Sequence, residues 1–426
     1  MENTPLTAHV ESLGATGDGV VRINDAKVFV PNALPGETVT FAKPNGPGKV
    51  TVFNADRAVP PCPHFGACGG CVAQHMTAAL YQDWKQATAR TTITREIPEP
   101  TSWHNPVFVP DHTRRRVTLA AFRTSKTNFS LGFHARRDTA VIDIATCVIM
   151  HPDLLRFILA AKPHLAALLP FQKAADIQVQ MVENGFDVLV TGPVGPKGRP
   201  DMDVHHAVMD LAQAMPDLAR IAWRARDRDA PEILLAPRVP LVQFEGLTIA
   251  LPVGAFLQPS QAGEIALRQA IAQAVATHAA TASKALDLFC GCGTLTPALL
   301  SVPYVQAYDS DHGVIAALQG ASKSIPRLHV DRRDLFRQPM SAKELSAFDI
   351  VLMDPARAGA LDQCANLAKS TVGLIIYVSC NPATFARDAA ALIQGGYTFA
   401  NAQLIDQFTY SAHTEVVGIF ARGTKK

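Results

Sequence analysis

No stretch of this chain is apolar for anything near the roughly 18 residues that cross a bilayer. The richest segment, 154–170, is interrupted by Lys162, Pro163 and His164, so no membrane role is expected. The opening MENTPLTAHVESLG has neither a basic start nor an apolar core. No secretory leader is therefore expected, and a cytoplasmic location follows. In that compartment the eight cysteines are expected as thiols, metal ligands or catalysts rather than disulfides. Strong charge is lacking as well: a net +2 over 426 residues permits an RNA partner without arguing for one. There is no internal repeat and no long low-complexity tract, which excludes solenoids and extended linkers.

What is present is a core-forming composition, 48% hydrophobic and 18% charged, over a length that suits two to four domains. Residues 1–58 alternate short β runs with turn clusters at Gly14–Gly19, Asn24-Asp25, Pro35-Gly36 and Pro44–Gly48. That spacing predicts a small barrel. DGVVRINDAKVFVPNALPGETV resembles the TRAM domain, an oligonucleotide/oligosaccharide-fold-like RNA-binding appendage.

Pro60-Pro61-Cys62-Pro63 marks a boundary, and PCPHFGACGGCVAQ then places Cys62, Cys68 and Cys71 at C-x5-C-x2-C. Cys147 lies far downstream. Clustered thiolates in a Gly/Pro-rich loop repel, so a bound cation is their natural stabiliser. Four thiolates suit a [4Fe–4S] cluster or a structural zinc. The Cys-Gly-Gly-Cys turn, which brings backbone N–H groups close, favours iron–sulfur. The rest of 59–245 reads as α+β: a helix over 73–96, strands over 115–146, a helix over 152–168, a hairpin turned at 183–185, a helix over 204–215 and strands near 220 and 232. Arg114-Arg115-Arg116, Arg123, Lys126, Arg136 and Arg137 form a local basic run. It is either a solvated strand face or a phosphate track.

The chain is organised around ALDLFCGCGTLTPALL, 285–300. It predicts a buried strand over 285–289, a Gly291-x-Gly293 turn and a helix with Pro297 in its first turn. Such a turn at the carboxyl end of a parallel strand is a nucleotide-type pocket. Thr296 stands where the dinucleotide fingerprint wants its third glycine. Asp309, at the end of the next strand, suits ribose hydroxyls, which NAD and S-adenosylmethionine (SAM) both present. Further strands follow at 326–330, 348–353 and 373–378, and strand-like segments at 397–408 and 415–422 close the chain. Asp334 sits where a doubly wound fold contacts an adenine ring. Asp354, in DPARAG, and Cys380, in VSCNPAT, lie at strand carboxyl ends, where ligands bind in open α/β sheets.

Together, the TRAM-like start, CPHFGACGGC with Cys147, FLQ, DLFCGCGT, DPARAG, VSCNPATFARD and the terminal HTE resemble the RNA uracil-5-methyltransferases. The likeness is greatest to their TRAM-containing, iron–sulfur branch acting on 23S ribosomal RNA. The resemblance covers nearly the whole chain. It implies an α/β protein in three parts: a TRAM-like barrel (1–58), an α+β iron–sulfur domain (59–245) and a doubly wound, Rossmann-like SAM methyltransferase domain (246–426), whose seven-strand sheet ends in an antiparallel hairpin. It implies Cys380 as the nucleophile at uracil C6, Glu415 as the base that removes the C5 proton, and Asp354 on the uracil edge. SAM is implied to meet Gln258, Phe289, Gly291, Gly293, Thr294, Asp309, Asp334 and Asp354, and Cys62, Cys68, Cys71 and Cys147 to hold a [4Fe–4S] cluster. A free thiol is only a few per cent ionised near pH 7, so Cys380 is expected to have a lowered pKa, with Arg357 as helper. Two departures stand out: Pro259-Ser260 follows Gln258 where the family more often has Val-Asn or Pro-Asn, and Thr294 replaces a commoner Asn. The expected partner is 23S rRNA, with tRNA uridine-54 as the alternative, and the protein is expected to be a monomer. An iron–sulfur, NAD(P)-binding oxidoreductase is the alternative from another class; it leaves Cys380 and Glu415 without a task. An RNA-binding protein with a dead site is a third.

Overall fold

The computed structural model of the protein describes residues 6–43, 46–125 and 127–422. Lys126 and part of the Pro44–Gly48 turn lie outside the described residues. The catalytic end is a doubly wound sheet. Its strands run in the order Leu328–Arg332, Tyr304–Asp309, Lys284–Leu288, Ile350–Met353, Leu374–Ser379, Glu415–Ala421 and Thr398–Asp406. The first five are parallel and the last two form the expected antiparallel pair. Ile350–Met353 and Leu374–Ser379 are buried at every position, as continuous apolar strands covered on both faces must be. The order reverses between Lys284–Leu288 and Ile350–Met353, and that switch point opens a crevice at the strands' carboxyl ends.

The sheet has nine strands, not seven. Ser102–Trp103 and Val107–Phe108 both pair in parallel with Thr398–Asp406. The hairpin Leu241–Phe244 with Leu247–Ala250 also shares an apolar core with the catalytic sheet through Val242, Phe244 and Ile249. The boundary at 245/246 therefore cuts a hairpin of the catalytic unit, and residues 102–108 return to that unit from the central one. The helix expected after the glycine turn is a single 3-10 turn, Thr296–Leu299. Pro297 supplies no N–H there, and Thr296 turns its hydroxyl onto Asp287 (2.7 Å).

The central unit is a seven-stranded sheet with helices Pro152–Leu168 and Met202–Ala214 sharing its apolar core. The N-terminal unit consists of two three-stranded sheets around Val10, Val21, Val30, Val39 and Phe41. Four arginines of the basic run contact another unit. Arg115 pairs with Glu264 and donates to Gln258 O (3.2 Å). Arg116 stacks over Phe256 (4.7 Å). Arg136 and Arg137 both pair with Asp18 of the N-terminal unit (2.5 and 2.7 Å). Arg123 caps Leu169 O (2.9 Å) and covers Phe171. Arg115, Arg116, Arg123 and Arg136 are thereby committed to protein contacts, whereas Arg137 keeps most of its side chain in solvent.

Candidate active site

The strand Lys284–Leu288 ends one residue before expected, because Phe289 takes a left-handed backbone (φ 62°). That conformation is strained for an aromatic residue and marks a functional turn. Gly291 (φ 52°) and Gly293 (φ 85°) continue it. A Cβ on Gly293 would lie 2.6 Å from Leu318 Cδ1, so close packing fixes that glycine. A Cβ on Gly291 would meet nothing within 4 Å, so open space lies beside its backbone. Gly291 N donates to Asp309 Oδ2 (3.0 Å), which sets the carboxylate of the second strand against the turn. Thr294 is buried and its carbonyl accepts from Arg268 (3.3 Å). The Ser260 departure is harmless: its hydroxyl accepts from Gly263 N (3.1 Å) and caps the helix Gln261–His278. Asp334 accepts from Phe336 N and Arg337 N and so stabilises its own turn. Phe336, unforeseen from the sequence, is half-exposed with its ring 5.2 Å from that of Phe289.

Three carboxylates surround the glycine turn. Burial raises the pKa of Asp287 to about 7, and the charges of Asp354 and Asp309 add to the rise. The carboxylate of Asp309, held against a glycine turn with open space beside Gly291, suits the ribose hydroxyls of a nucleoside ligand, and the residues present fit SAM in that respect.

The reacting groups meet at the next strand ends. Cys380 follows Leu374–Ser379 and is partly exposed, while Asn381 caps the helix Pro382–Gln394 behind it. Glu415 opens the last strand and is 5% exposed. Burial lifts its carboxyl to about 7 against an opposing hydrogen bond from Gln407. Burial and the charge of Glu415 hold Asp354 well above the usual carboxylate range. A relay of amides joins the two acids. Gln258 Nε2 lies 3.5 Å from Asp354 Oδ2, and Gln407 Nε2 donates to Gln258 Oε1 (2.8 Å) and to Glu415 Oε1 (3.1 Å). Glu415 Oε2 is buried with no partner. One oxygen is thus fixed, and the other is free to accept a proton. Gln407 was not foreseen, since nothing in its sequence context separates it from any strand-end glutamine.

The expected lowered pKa of Cys380 is not found. Burial, then Glu415 and Asp354, push the thiol up to about 11, and Arg357 opposes only weakly. Two neighbouring carboxylates outweigh one exposed guanidinium, so the resting side chain is a neutral thiol.

Cys62, Cys68, Cys71 and Cys147 line one cavity, walled by Phe133, Ile144 and Ile149. The long-range cysteine therefore does join the loop motif. Gly70 N donates to Cys68 Sγ (3.4 Å). Burial raises Cys71 to about 12, with its three partner thiols adding to the rise. Among the described residues no group of three or more His, Cys, Asp or Glu converges to hold a metal ion. Four soft thiols around one apolar hollow are a donor set of the kind that thiophilic metals take.

A family model described as tRNA (Uracil-5-)-methyltransferase matches residues 329–423, the part that carries Asp354, Cys380 and Glu415. An uncharacterized RNA methyltransferase of Mesorhizobium japonicum is 36% identical over 98% of this chain and 98% of its own. The 23S rRNA (uracil(1939)-C(5))-methyltransferase RlmD of Yersinia enterocolitica is 30% identical over 97% of this chain and 95% of its own. Among solved structures, the Pyrococcus abyssi tRNA (uracil-54, C5)-methyltransferase bound to S-adenosyl-L-homocysteine superposes with a TM-score of 0.72, at 18% identity, over 97% of this chain and 99% of that one. That likeness establishes the fold. With relatives of this identity spanning nearly all of its length, the chain belongs to the RNA uracil-5-methyltransferase family and is a SAM-dependent RNA methyltransferase.

Proposed function

We propose that the protein methylates C5 of one uridine in 23S ribosomal RNA through a covalent adduct with Cys380. Uracil C5 is too poor a nucleophile to take a methyl group directly. Addition of the Cys380 sulfur to C6 makes an enolate, and its C5 attacks a methyl group, which SAM supplies as an electrophile. Glu415 Oε2 then takes the C5 proton, and elimination of the Cys380 sulfur restores the ring as 5-methyluracil. Asp354, kept neutral by burial beside Glu415, donates to the uracil oxygen on which enolate charge collects. The Cys380 thiol is partly exposed, and its proton passes to solvent water as the C–S bond forms, which leaves Asp354 protonated and Glu415 ionised for their own steps. The uridine has to leave any base stack to reach Cys380.

The observation that carries this reading is the pairing of a strand-end thiol with a buried carboxylate that has one oxygen pinned by Gln407 and the other unpartnered. The similarity to the 23S rRNA enzyme over nearly all of both chains supports ribosomal RNA as substrate. On the same reading Cys62, Cys68, Cys71 and Cys147 hold a structural [4Fe–4S] cluster, the N-terminal unit is a TRAM-type RNA-binding module, and the protein acts in the cytoplasm as a monomer. RNA carrying 5-fluorouridine tests the chemistry, because a C5 fluorine cannot leave as a proton. Wild-type protein should form an adduct with it that survives denaturation, and Cys380→Ala should form none. An adduct with Cys380→Ala would remove Cys380 from the nucleophile's role.

A further inference from the structure

The helix Ala78–Thr94 follows the cysteine loop in sequence, yet its polar side chains reach into the catalytic end of the chain. Lys85 is 2% exposed. Its ammonium lies 2.9 Å from Asp406 Oδ1, donates to Ser411 O at 3.0 Å, and donates to His413 O. The ammonium thus donates to two loop carbonyls and is ion-paired with Asp406, all within residues 406–413. One turn earlier, the Tyr81 hydroxyl donates to Asp406 Oδ2 and accepts from Tyr410 N (2.9 Å). The cysteine loop adds a strap of its own, with Val72 N donating to Tyr410 O (2.8 Å).

Burying an ammonium is expensive, and an apolar side chain of similar length would fill the same space. The charge therefore has a task here: without it, two loop carbonyls would lose their donor and Asp406 its counter-ion. The loop so held is the one that contains Gln407 and ends at Glu415. We propose that Lys85 is a positioning residue for Glu415, holding residues 406–415 so that the free carboxylate oxygen faces the C5 proton, with Tyr81 and the Val72 strap as its supports. The inference rests on the reading of Glu415 as the proton acceptor. Its consequence is selective. Attack by Cys380 and methyl transfer use groups on other strand ends, whereas release of product needs Glu415 in place. Loosening the loop should let the methylated adduct form and then stall.

The test is Lys85→Met in the full-length protein, prepared anaerobically, with radiolabelled SAM and whichever of unmodified 23S rRNA or bulk tRNA the wild type methylates. Product and denaturation-resistant adduct are measured separately, and SAM binding is measured alongside. The expected result is turnover slowed about 100-fold, as for a misplaced catalytic group, with labelled adduct accumulating and SAM binding kept. A purely structural defect would instead lower adduct and product together. Glu415→Gln is the reference and must accumulate the same adduct; if it does not, the proton-acceptor reading fails, and this proposal with it. If Glu415→Gln stalls but Lys85→Met turns over normally, or loses adduct and product in proportion, the positioning role alone is refuted. Should Lys85→Met not fold because Asp406 is left unpaired, Lys85→Met/Asp406→Asn removes both charges and is read by the same criteria.

Discussion

Glu415→Gln should stabilise the ligand-free protein while disabling it, and the stabilisation should depend on pH. The carboxyl is raised from an ordinary 4.5 to about 7 by burial. At about 1.4 kcal/mol for each tenfold change in proton affinity, this amounts to about 3 kcal/mol. The sign follows from proton linkage. Below the unfolded pKa both states are protonated, and the folded state carries no penalty. As pH rises towards about 7, the unfolded chain ionises first, so stability falls across that window and stays low above it. Glutamine is neutral throughout and keeps the contact with Gln407. The variant should therefore melt with the wild type near about pH 4 and, for a catalytic unit of this size, about 6 °C above it near about pH 8. Thermal melts across that range, followed by a signal from the catalytic unit, make the comparison. A difference independent of pH, or a variant less stable at alkaline pH, would show that Glu415 is not destabilised by burial and would remove the physical basis for its action as a base near neutrality.

Four other outcomes follow from the geometry. Cys380→Ala should abolish turnover and leave SAM binding unchanged by calorimetry, since the thiol lies on a different strand end from the glycine turn. Decay of the methylated adduct to product in a single turnover should speed up with pH through about 7, because Glu415 must be ionised to take the C5 proton; a flat profile contradicts that assignment. Gly293→Ala should lose about 1–2 kcal/mol from its left-handed backbone alone, and more because its Cβ is driven to 2.6 Å from Leu318 Cδ1, as chemical denaturation can show. Cys71→Ser should lose iron and visible absorbance and lower the melting temperature. Iron content equal to wild type would reject the four-cysteine ligand set.

The parts of the structure written in local pattern were legible in the sequence. The segments read as strands at 348–353 and 373–378 are buried parallel strands. The glycine turn and the strand-end residues Asp354 and Cys380 fell where a doubly wound sheet places ligands. Features that depend on distant partners were not legible. Ser102–Trp103 and Val107–Phe108 are two residues each, too short for any periodicity to reveal. Arg115 and Arg116 read as a surface run because their partners, Glu264 and Phe256, lie well over a hundred residues away. The same reason hid Gln407, whose partner Gln258 is distant in sequence, and Lys85, whose role exists only once two units are docked. The thiol pKa of Cys380 was misjudged because the chain places Arg357 near it in sequence order, whereas the fold brings in Asp354 and Glu415 more effectively.

We propose uridine C5 methylation of 23S rRNA as the activity of this protein. Its most direct test is anaerobic incubation of the protein with SAM and unmodified 23S rRNA, with bulk tRNA alongside, followed by nuclease digestion and mass spectrometry for 5-methyluridine. The account predicts one modified uridine in 23S rRNA, lost with Cys380→Ala. Modification of tRNA alone would contradict the substrate while keeping the chemistry, and methylation of neither by a protein that binds SAM would contradict both.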